Sequence, residues 1–202
     1  MPTPLPNSKP ELRAMIRERL AAMDPAELAR ASSRVCAALE AALAPHAAGL
    51  VGAFMPGPRE PDIRPVLFRL ASAGRLAIPH VSWETGVMTL RRVGDLDADT
   101  VADRHSIRSA RPTCPVVSAG ELALVLIPGV AFDRHGARLG RGKGHFDRFL
   151  GSPDIPRSLV RVGIAFDVQV VDSVPVAPHD CPVDLLVTES GGWDCRPATP
   201  NP

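Results

Sequence analysis

The stretch "LALVLIPGVAFDRHGARLGRGKGHFDRF", residues 122–149, joins a continuous apolar run to a loop rich in glycine and cations. The apolar run at 122–132 predicts a strand buried on both faces, as in a parallel sheet covered by helices. The next four residues, "DRHG", have turn chemistry, which favours a turn role for Asp133. A helix is predicted to begin near Gly142–Gly144 and to end by Gly151. Strand, turn, loop and helix in this order indicate an α/β fold.

The loop at 136–149 holds four glycines and four basic residues around one aspartate. Such a composition suits phosphate and a metal ion, because glycines let backbone N–H groups approach phosphate and cations neutralise it. The loop nevertheless fits neither of two familiar phosphate patterns. The Walker pattern fails on both sides of Gly142–Lys143, and the dinucleotide pattern fails because His145 occupies its third glycine position.

Five further apolar runs predict strands, and capping residues near Ser8, Asp24 and Asp62 predict the starts of helices. The runs are "GLVGAFM" (49–55), "RLAIPHV" (75–81), "VMTLRRV" (87–93), "LVRVGIAF" (159–166) and "VDLLVTES" (183–190). Polar, proline-rich residues 94–121 predict a long loop. Residues 1–190 therefore predict one three-layer α/β/α domain with a mainly parallel central sheet, and residues 191–202 predict a disordered tail.

The bulk composition gives no sign of nucleic-acid or membrane binding. The 202 residues carry a net charge of +1, with 45% hydrophobic and 22% charged residues, which is ordinary for a globular domain. No apolar run reaches 18 residues, and residues 1–13 lack the apolar core of a signal peptide. These features predict a cytoplasmic protein with no membrane or nucleic-acid partner, and we expect a monomer.

The four cysteines form no C-x-x-C pair and have no histidine at zinc-ligand spacing. Cys36 falls on the apolar face of a predicted helix and is interpreted as a core residue. Cys181, beside His179 and Asp180, is the one candidate for a catalytic thiol.

Lysine is scarce in this chain, since only Lys9 and Lys143 stand among 23 basic residues. The position of Lys143 within the glycine loop indicates that a compact, mobile ammonium is wanted there. Lys9 falls within the apolar stripe of the first predicted helix, and Arg13 falls at its edge. Either their stems lie along the surface or their charges face inward toward a ligand, and periodicity leaves both readings open.

Together with three distant segments, the glycine loop resembles the signature of the 5-formyltetrahydrofolate cyclo-ligase family, P-G-x-(A/G)-F-D-x-x-G-x-R-L-G-x-G-x-G-Y-Y-D. The matching stretch is "PGVAFDRHGARLGRGKGHFDR" (128–148). The resemblance continues, in order along the chain, in "KPELR" (9–13), "FMPGPREPD" (54–62) and "VGIAFDVQVVDSVPVAPHDCPVDLLVTE" (162–189).

The resemblance implies a ring closure that consumes ATP and uses Mg²⁺. In this reaction the formyl oxygen on N-5 of 5-formyltetrahydrofolate takes the γ-phosphoryl group of ATP. The N-10 amine then attacks the activated carbon, and phosphate leaves to give 5,10-methenyltetrahydrofolate and ADP.

Site residues follow from the same resemblance, position by position. It implies ATP contacts at Lys9, Arg13, Arg138, Leu139, Gly140, Arg141, Gly142, Lys143, Gly144, His145 and Phe146, and it favours the inward orientation of the first two. It implies folate contacts at Met55, Glu60, Arg141, Gly142, Lys143, Gly144 and His145. Arg141 and Lys143 are the implied catalytic cations. Asp147 and Asp180 are the implied Mg²⁺ ligands, with Asp184 as a rival to Asp180.

The chain departs from the family where two tyrosines are usual, because it has His145 and Phe146 there and contains no tyrosine. Phe146 keeps the ring without the hydroxyl, and His145 adds a group that ordinarily titrates at about pH 6.5. Two alternatives stay open: a family member that binds ATP or folate without turnover, and a related ATP-dependent ligase with another substrate.

Overall fold

The computed structural model describes residues 8–102 and 108–197. Within them the helices are α1 (Lys9–Ala22), α2 (Pro25–Leu43), α3 (Arg64–Ser72) and α4 (His145–Leu150), with short 3-10 turns at Ala44–His46, Ala119–Glu121 and Asp167–Gln169. The strands are β1 (Leu50–Gly52), β2 (Leu76–Val81), β3 (Met88–Val93), β4 (Thr100–Ala102), β5 (Arg108–Ala110), β6 (Leu122–Pro128), β7 (Ala131–Asp133), β8 (Arg138–Leu139), β9 (Val160–Ile164), β10 (Val170–Val171), β11 (Leu185–Thr188) and β12 (Gly191–Asp194).

Seven strands form the central sheet in the order β12-β11-β9-β6-β1-β2-β3. The five inner strands are parallel, and the two edge strands run antiparallel to their neighbours. The α/β prediction with a mainly parallel sheet is confirmed. From β1 the chain proceeds to β2 and β3 on one side, whereas β6 leads to β9 and β11 on the other. The order thus reverses between β1 and β6, and the carboxyl ends of the strands beside such a switch point are where α/β sheets usually bind ligands.

Alternate residues of the inner strands face two different cores, because successive strand side chains point to opposite faces. Val51 and Leu124 pack in one core with residues of α1, α2 and α3. Val125 and Ile127 pack in the other core with Leu150 of α4. The second face is therefore covered by one short helix and loop segments rather than by several full helices.

Capping residues start the first two helices as the sequence predicts. The Ser8 hydroxyl accepts a hydrogen bond from the Glu11 N–H at 3.4 Å, and the Asp24 carboxylate accepts one from the Glu27 N–H at 2.7 Å. The buried stripe of α1 consists of Leu12, Ile16 and Leu20. No helix of the described ranges is long and apolar enough to cross a membrane.

The predicted disorder of the tail is wrong for its first part. Residues 191–194 form β12, which pairs antiparallel with β11 through a tight turn. Gly191 takes a φ of 130°, and Trp193 packs against the core that contains Leu150. In this hairpin Gly191 allows the chain to reverse, because glycine adopts a positive φ without a steric penalty. Residues 198–202 of the predicted tail lie outside the described residues.

The predicted long loop at 94–121 is also partly structured. It contains the antiparallel pair β4 and β5 and the 3-10 turn at Ala119–Glu121. Strands of three residues are too short to show a hydrophobic period, so this pair could not be predicted from its residues. Residues 103–107 lie outside the described residues.

Candidate active site

Glu60 is held rigidly in the loop that follows β1. Its Oε2 accepts a hydrogen bond from the Gly57 N–H at 2.7 Å, and its own N–H donates to the Gly57 carbonyl at 3.2 Å. The side chain is only 10% exposed. Its second oxygen, Oε1, lies 2.6 Å from Nη2 of Arg141. The loop after β1 and the glycine loop after β8 therefore meet at the switch point of the sheet.

Two cavities flank the loop that carries Glu60. One, of ≈ 410 Å³, is lined by Gly57, Arg59, Glu60 and residues of α2. The other, of ≈ 340 Å³, is lined by Met55 and Phe68 among others. The two implied folate contacts of this loop, Glu60 and Met55, therefore line neighbouring cavities rather than the same one. Met55 is 8% exposed.

The glycine loop turns twice through left-handed backbone before α4. Gly142 has a φ of 106° and Gly144 a φ of 63°, and glycine adopts such angles without a steric penalty. The Arg13 Nε donates to the carbonyl of Gly140 at 2.9 Å, which ties α1 to the loop. Leu139 is 1% exposed and belongs to the core, so only its backbone can face a ligand.

Asp147 joins the glycine loop to the C-terminal segment. Its Oδ1 lies 2.5 Å from Nη2 of Arg138, whose side chain is 3% exposed. The same oxygen accepts a hydrogen bond from the Cys181 N–H at 3.4 Å. A buried guanidinium thus has its counter-charge in a carboxylate at the start of α4.

Asp180 is paired with the first residue of α1. Its Oδ2 lies 2.5 Å from Nζ of Lys9 and accepts a hydrogen bond from the Ala177 N–H at 2.7 Å. Burial raises the pKa of Asp180, but the bonds from Lys9 and Ala177 outweigh burial and leave the pKa below its usual value. Lys9 and Arg13 both point toward the implied ligand segments, because Lys9 contacts Asp180 and Arg13 contacts Gly140. Their contact with ATP stays a prediction.

The residues present fit a magnesium ion that shares its ligands with phosphate. Among the described residues, Asp147 Oδ2 accepts no hydrogen bond, and Asp180 Oδ1 also accepts none and lies 3.8 Å from Nε2 of His179. The described ranges contain no cluster of three or more His, Cys, Asp or Glu residues able to hold a metal. Mg²⁺ commonly takes one or two carboxylates and completes its shell with phosphates and water, so two acids from these segments would suffice.

The surroundings of three other candidates, Asp133, Asp184 and Cys181, favour structural over catalytic or metal-binding roles. Asp133 accepts hydrogen bonds from the N–H groups of His135, Ala137 and Val174, at 2.9, 3.0 and 2.9 Å, so its turn role is confirmed. The Asp184 carboxylate accepts from the Arg161 N–H at 2.7 Å. Burial raises the pKa of the Cys181 thiol, which disfavours the thiolate that a nucleophile requires.

Comparison with known proteins identifies the family. The 5-formyltetrahydrofolate cyclo-ligase family matches residues 6–189. The chain belongs to this family of ligases. The 5-formyltetrahydrofolate cyclo-ligase of Mus musculus is 26% identical over 192 residues, which cover 91% of this chain and 94% of the mouse protein. The mitochondrial 5-formyltetrahydrofolate cyclo-ligase of Arabidopsis thaliana is 32% identical over 133 residues, which cover 58% of this chain and about half, 48%, of the plant protein.

A solved structure agrees with the sequence comparison. The NMR structure of Aquifex aeolicus 5,10-methenyltetrahydrofolate synthetase superposes with a TM-score of 0.81 at 28% identity, and the match covers 96% of both chains. The cyclo-ligase fold therefore extends over nearly the whole chain.

In this chain the position of the first usual tyrosine is taken by a histidine that is partly buried. The His145 ring lies edge-on to Trp83, with 6.4 Å between ring centroids, and its Nδ1 is 2.9 Å from Nη2 of Arg148. Burial and then the charge of Arg148 lower the pKa of His145, so the neutral ring predominates at pH 7. Phe146, at the second tyrosine position, is half-buried and packs against both cores.

Sequence reasoning missed two residues that touch the implied site. Trp83 lies in the β2–β3 hairpin, and Nζ of Lys143 lies 5.0 Å from its ring centroid, within the range of a cation–π contact. Arg59 precedes Glu60 and has a φ of 61°. The sequence signal for Trp83 was a tryptophan between two predicted strands, whereas no sequence signal indicated Arg59.

Proposed function

We propose that the protein catalyses ATP- and Mg²⁺-dependent cyclisation of 5-formyltetrahydrofolate to 5,10-methenyltetrahydrofolate, with release of ADP and phosphate. The observation that carries the proposal is the 2.6 Å contact between Glu60 and Arg141. It joins the loop with the implied folate contacts to the loop with the implied ATP contacts. The formyl oxygen and the γ-phosphoryl group must come within bonding distance, and these two loops meet where that can occur.

Glu60 is suited to bind the pterin ring. A carboxylate can accept hydrogen bonds from two adjacent N–H donors on a ring edge. When the pterin takes Glu60, it competes with Arg141 for the same carboxylate. The Arg141 side chain is 50% exposed and has room to turn toward a phosphate. Folate binding thereby frees a cation for the second substrate.

The charge of ATP meets cations that already have carboxylate partners. Lys9 is paired with Asp180, and Arg138 with Asp147. Asp147 and Asp180 are the residues that would hold Mg²⁺, which when bound neutralises charge on the phosphates. With Asp180 holding the ion, Lys9 would be without its carboxylate partner and would be available to a phosphate.

The reaction requires no covalent nucleophile from the protein. The formyl oxygen attacks the γ-phosphorus, the bond to the bridging oxygen breaks, and ADP leaves. N-10 then adds to the activated carbon and gives up its proton to solvent, and the carbon–oxygen bond breaks with release of phosphate. We assign to Arg141 and Lys143 the neutralisation of charge on the moving phosphoryl group. Binding of both ligands in line is the remaining task of the protein.

Binding without turnover is the second candidate, and the replacement of both usual tyrosines favours it. The two functions are distinguished by incubating the purified protein with 5-formyltetrahydrofolate, ATP and Mg²⁺ and following the near-ultraviolet absorbance of the methenyl product. We expect the absorbance to rise only when all three are present. Tight folate binding, with no product formed in the presence of any metal ion, would contradict turnover.

A monomeric state and a cytoplasmic location stay predictions from the sequence.

A further inference from the structure

The backbone of Arg59 is strained within the loop that carries Glu60. Its φ of 61° makes Arg59 the one non-glycine residue with a positive φ in the ranges 8–102 and 108–197. This region is disfavoured for any residue with a Cβ. Such backbone persists only where its surroundings hold it, and it is concentrated near ligand sites.

The guanidinium of Arg59 is bonded to the end of α1. Its Nη1 donates to the carbonyl of Leu20 and, at 3.4 Å, to the carbonyl of Met23. The last carbonyls of a helix lack intrahelical partners and carry partial negative charge, so a cation binds them well. The buried residues Leu12, Ile16 and Leu20 fix α1 against the core. Arg59 therefore ties the loop to a rigid element.

The turn at Arg59 sets the direction of the next side chain. The chain reverses there, so that Glu60 and Gly57 exchange the two hydrogen bonds of 3.2 and 2.7 Å. The remaining oxygen of Glu60 then points to Arg141. We propose that Arg59 is a positioning residue for the folate site, which orients the Glu60 carboxylate by anchoring its loop to α1. This inference rests on the proposed role of Glu60 as a folate contact.

The anchor bears on the folate side of the reaction and not on the ATP side. Lys9 and Arg13 lie two to three helical turns from Leu20, roughly 10–16 Å along the axis. Because α1 is held by its buried stripe, loss of the Arg59 bonds leaves the helix in place and releases the loop. Folate affinity should change while ATP affinity does not.

The test is Arg59→Asn, since asparagine tolerates left-handed backbone but is too short to reach α1. We expect the KM for 5-formyltetrahydrofolate to rise about tenfold, with kcat and the KM for ATP within about twofold of wild type. Arg75→Asn is the matched control. Arg75 also binds backbone carbonyls, those of Gly49 at 3.0 Å and His46 at 2.6 Å, but at the opposite end of the sheet. The Arg75→Asn substitution should leave the KM for 5-formyltetrahydrofolate and the KM for ATP unchanged.

A double-substitution cycle separates positioning from general stabilisation. If Arg59 acts through Glu60, then Arg59→Asn should change the folate KM less than about twofold when added to Glu60→Ala. A full tenfold effect in that background, or an unchanged folate KM in Arg59→Asn alone, overturns the inference. Should Arg59→Asn fail to fold, Arg59→Gly, which adopts this φ without strain, is judged by the same outcomes. A wild type that forms no product overturns the proposed function and this inference with it, whereas an active wild type with an unaffected variant overturns the inference alone.

Discussion

The Glu60 carboxylate and the Arg141 guanidinium form an ion pair, with 2.6 Å between Oε1 and Nη2, across the point where the strand order reverses. The two side chains are 10% and 50% exposed. The pair therefore joins a fixed anion to a cation with room to move. A site of this kind suits a reaction in which one ligand takes the carboxylate and the other takes the guanidinium.

Removal of the charge on Glu60 should weaken folate binding selectively. In Glu60→Gln the amide oxygen can still accept from Gly57, but the negative charge toward the pterin is lost. We expect the KM for 5-formyltetrahydrofolate to rise about tenfold, with little change in the KM for ATP. Glu121→Gln is the control, because Glu121 likewise accepts from a backbone N–H and pairs with Arg92, away from the site. Equal changes in the two variants would show that Glu60 is structural.

The two implied metal ligands should control the Mg²⁺ requirement. Asp180→Asn removes one of the two charges proposed to hold the ion, and the Mg²⁺ concentration for half-maximal rate should rise at least about tenfold. Asp147→Asn should do the same and also lower the melting temperature, because it leaves the buried Arg138 without its counter-charge. Folate affinity measured by calorimetry should stay within about twofold of wild type.

Asp194→Asn supplies the control for these two substitutions. Asp194 is also paired with an arginine, Arg196, but the pair is exposed at the edge strand. The Mg²⁺ concentration for half-maximal rate of the Asp194→Asn variant should match that of wild type. A loss of folate affinity in Asp180→Asn as large as the loss of Mg²⁺ affinity would place these acids on the folate side instead.

Lys143 should be required for the chemical step more than for binding. Lysine is a compact point charge that can follow an oxygen through the transfer, whereas the planar guanidinium of arginine would crowd a loop shaped by glycines. We expect Lys143→Arg to keep the KM for ATP within about threefold and to lower kcat at least about tenfold. Lys143→Met removes the charge, so it should both raise the KM for ATP and lower kcat. Unchanged kcat and KM in Lys143→Arg would contradict this role.

Trp83 should report ATP binding through its contact with Lys143. The chain has two tryptophans, and Trp193 lies instead beside Arg134, whose guanidinium carbon is 5.6 Å from the ring centroid. In Trp193→Phe the emission of Trp83 should change when Mg²⁺ and ATP are added, because Lys143 turns from the ring toward phosphate. Trp83→Phe should show no such change. A silent Trp193→Phe variant that binds ATP by calorimetry would show that Lys143 does not move.

The sequence predicted the fold well where the signals were local. A few neighbouring residues were enough to predict the buried run at 122–132, the turn after it and the glycine loop. The hairpin that contains β12 was missed because its stability depends on pairing with β11, and two adjacent glycines look like breakers when viewed alone.

The candidate site was harder to predict because its contacts join distant segments. Lys9 and Asp180 are 171 positions apart, and no periodicity of α1 could distinguish an inward lysine from one lying along the surface. Only the family resemblance pointed to the inward orientation. The strained backbone of Arg59 depends on carbonyls at the end of α1. The residues of "PGPREP" alone therefore could not predict it.

The central claim is that this chain couples cleavage of ATP to closure of the folate ring. The most direct measurement follows ADP and 5,10-methenyltetrahydrofolate in the same sample, with 5-formyltetrahydrofolate limiting and Mg²⁺ and ATP in excess. We predict one ADP for each methenyl product, and no ADP when the folate is omitted. Formation of ADP without methenyl product, or binding of both ligands with neither product, would contradict it.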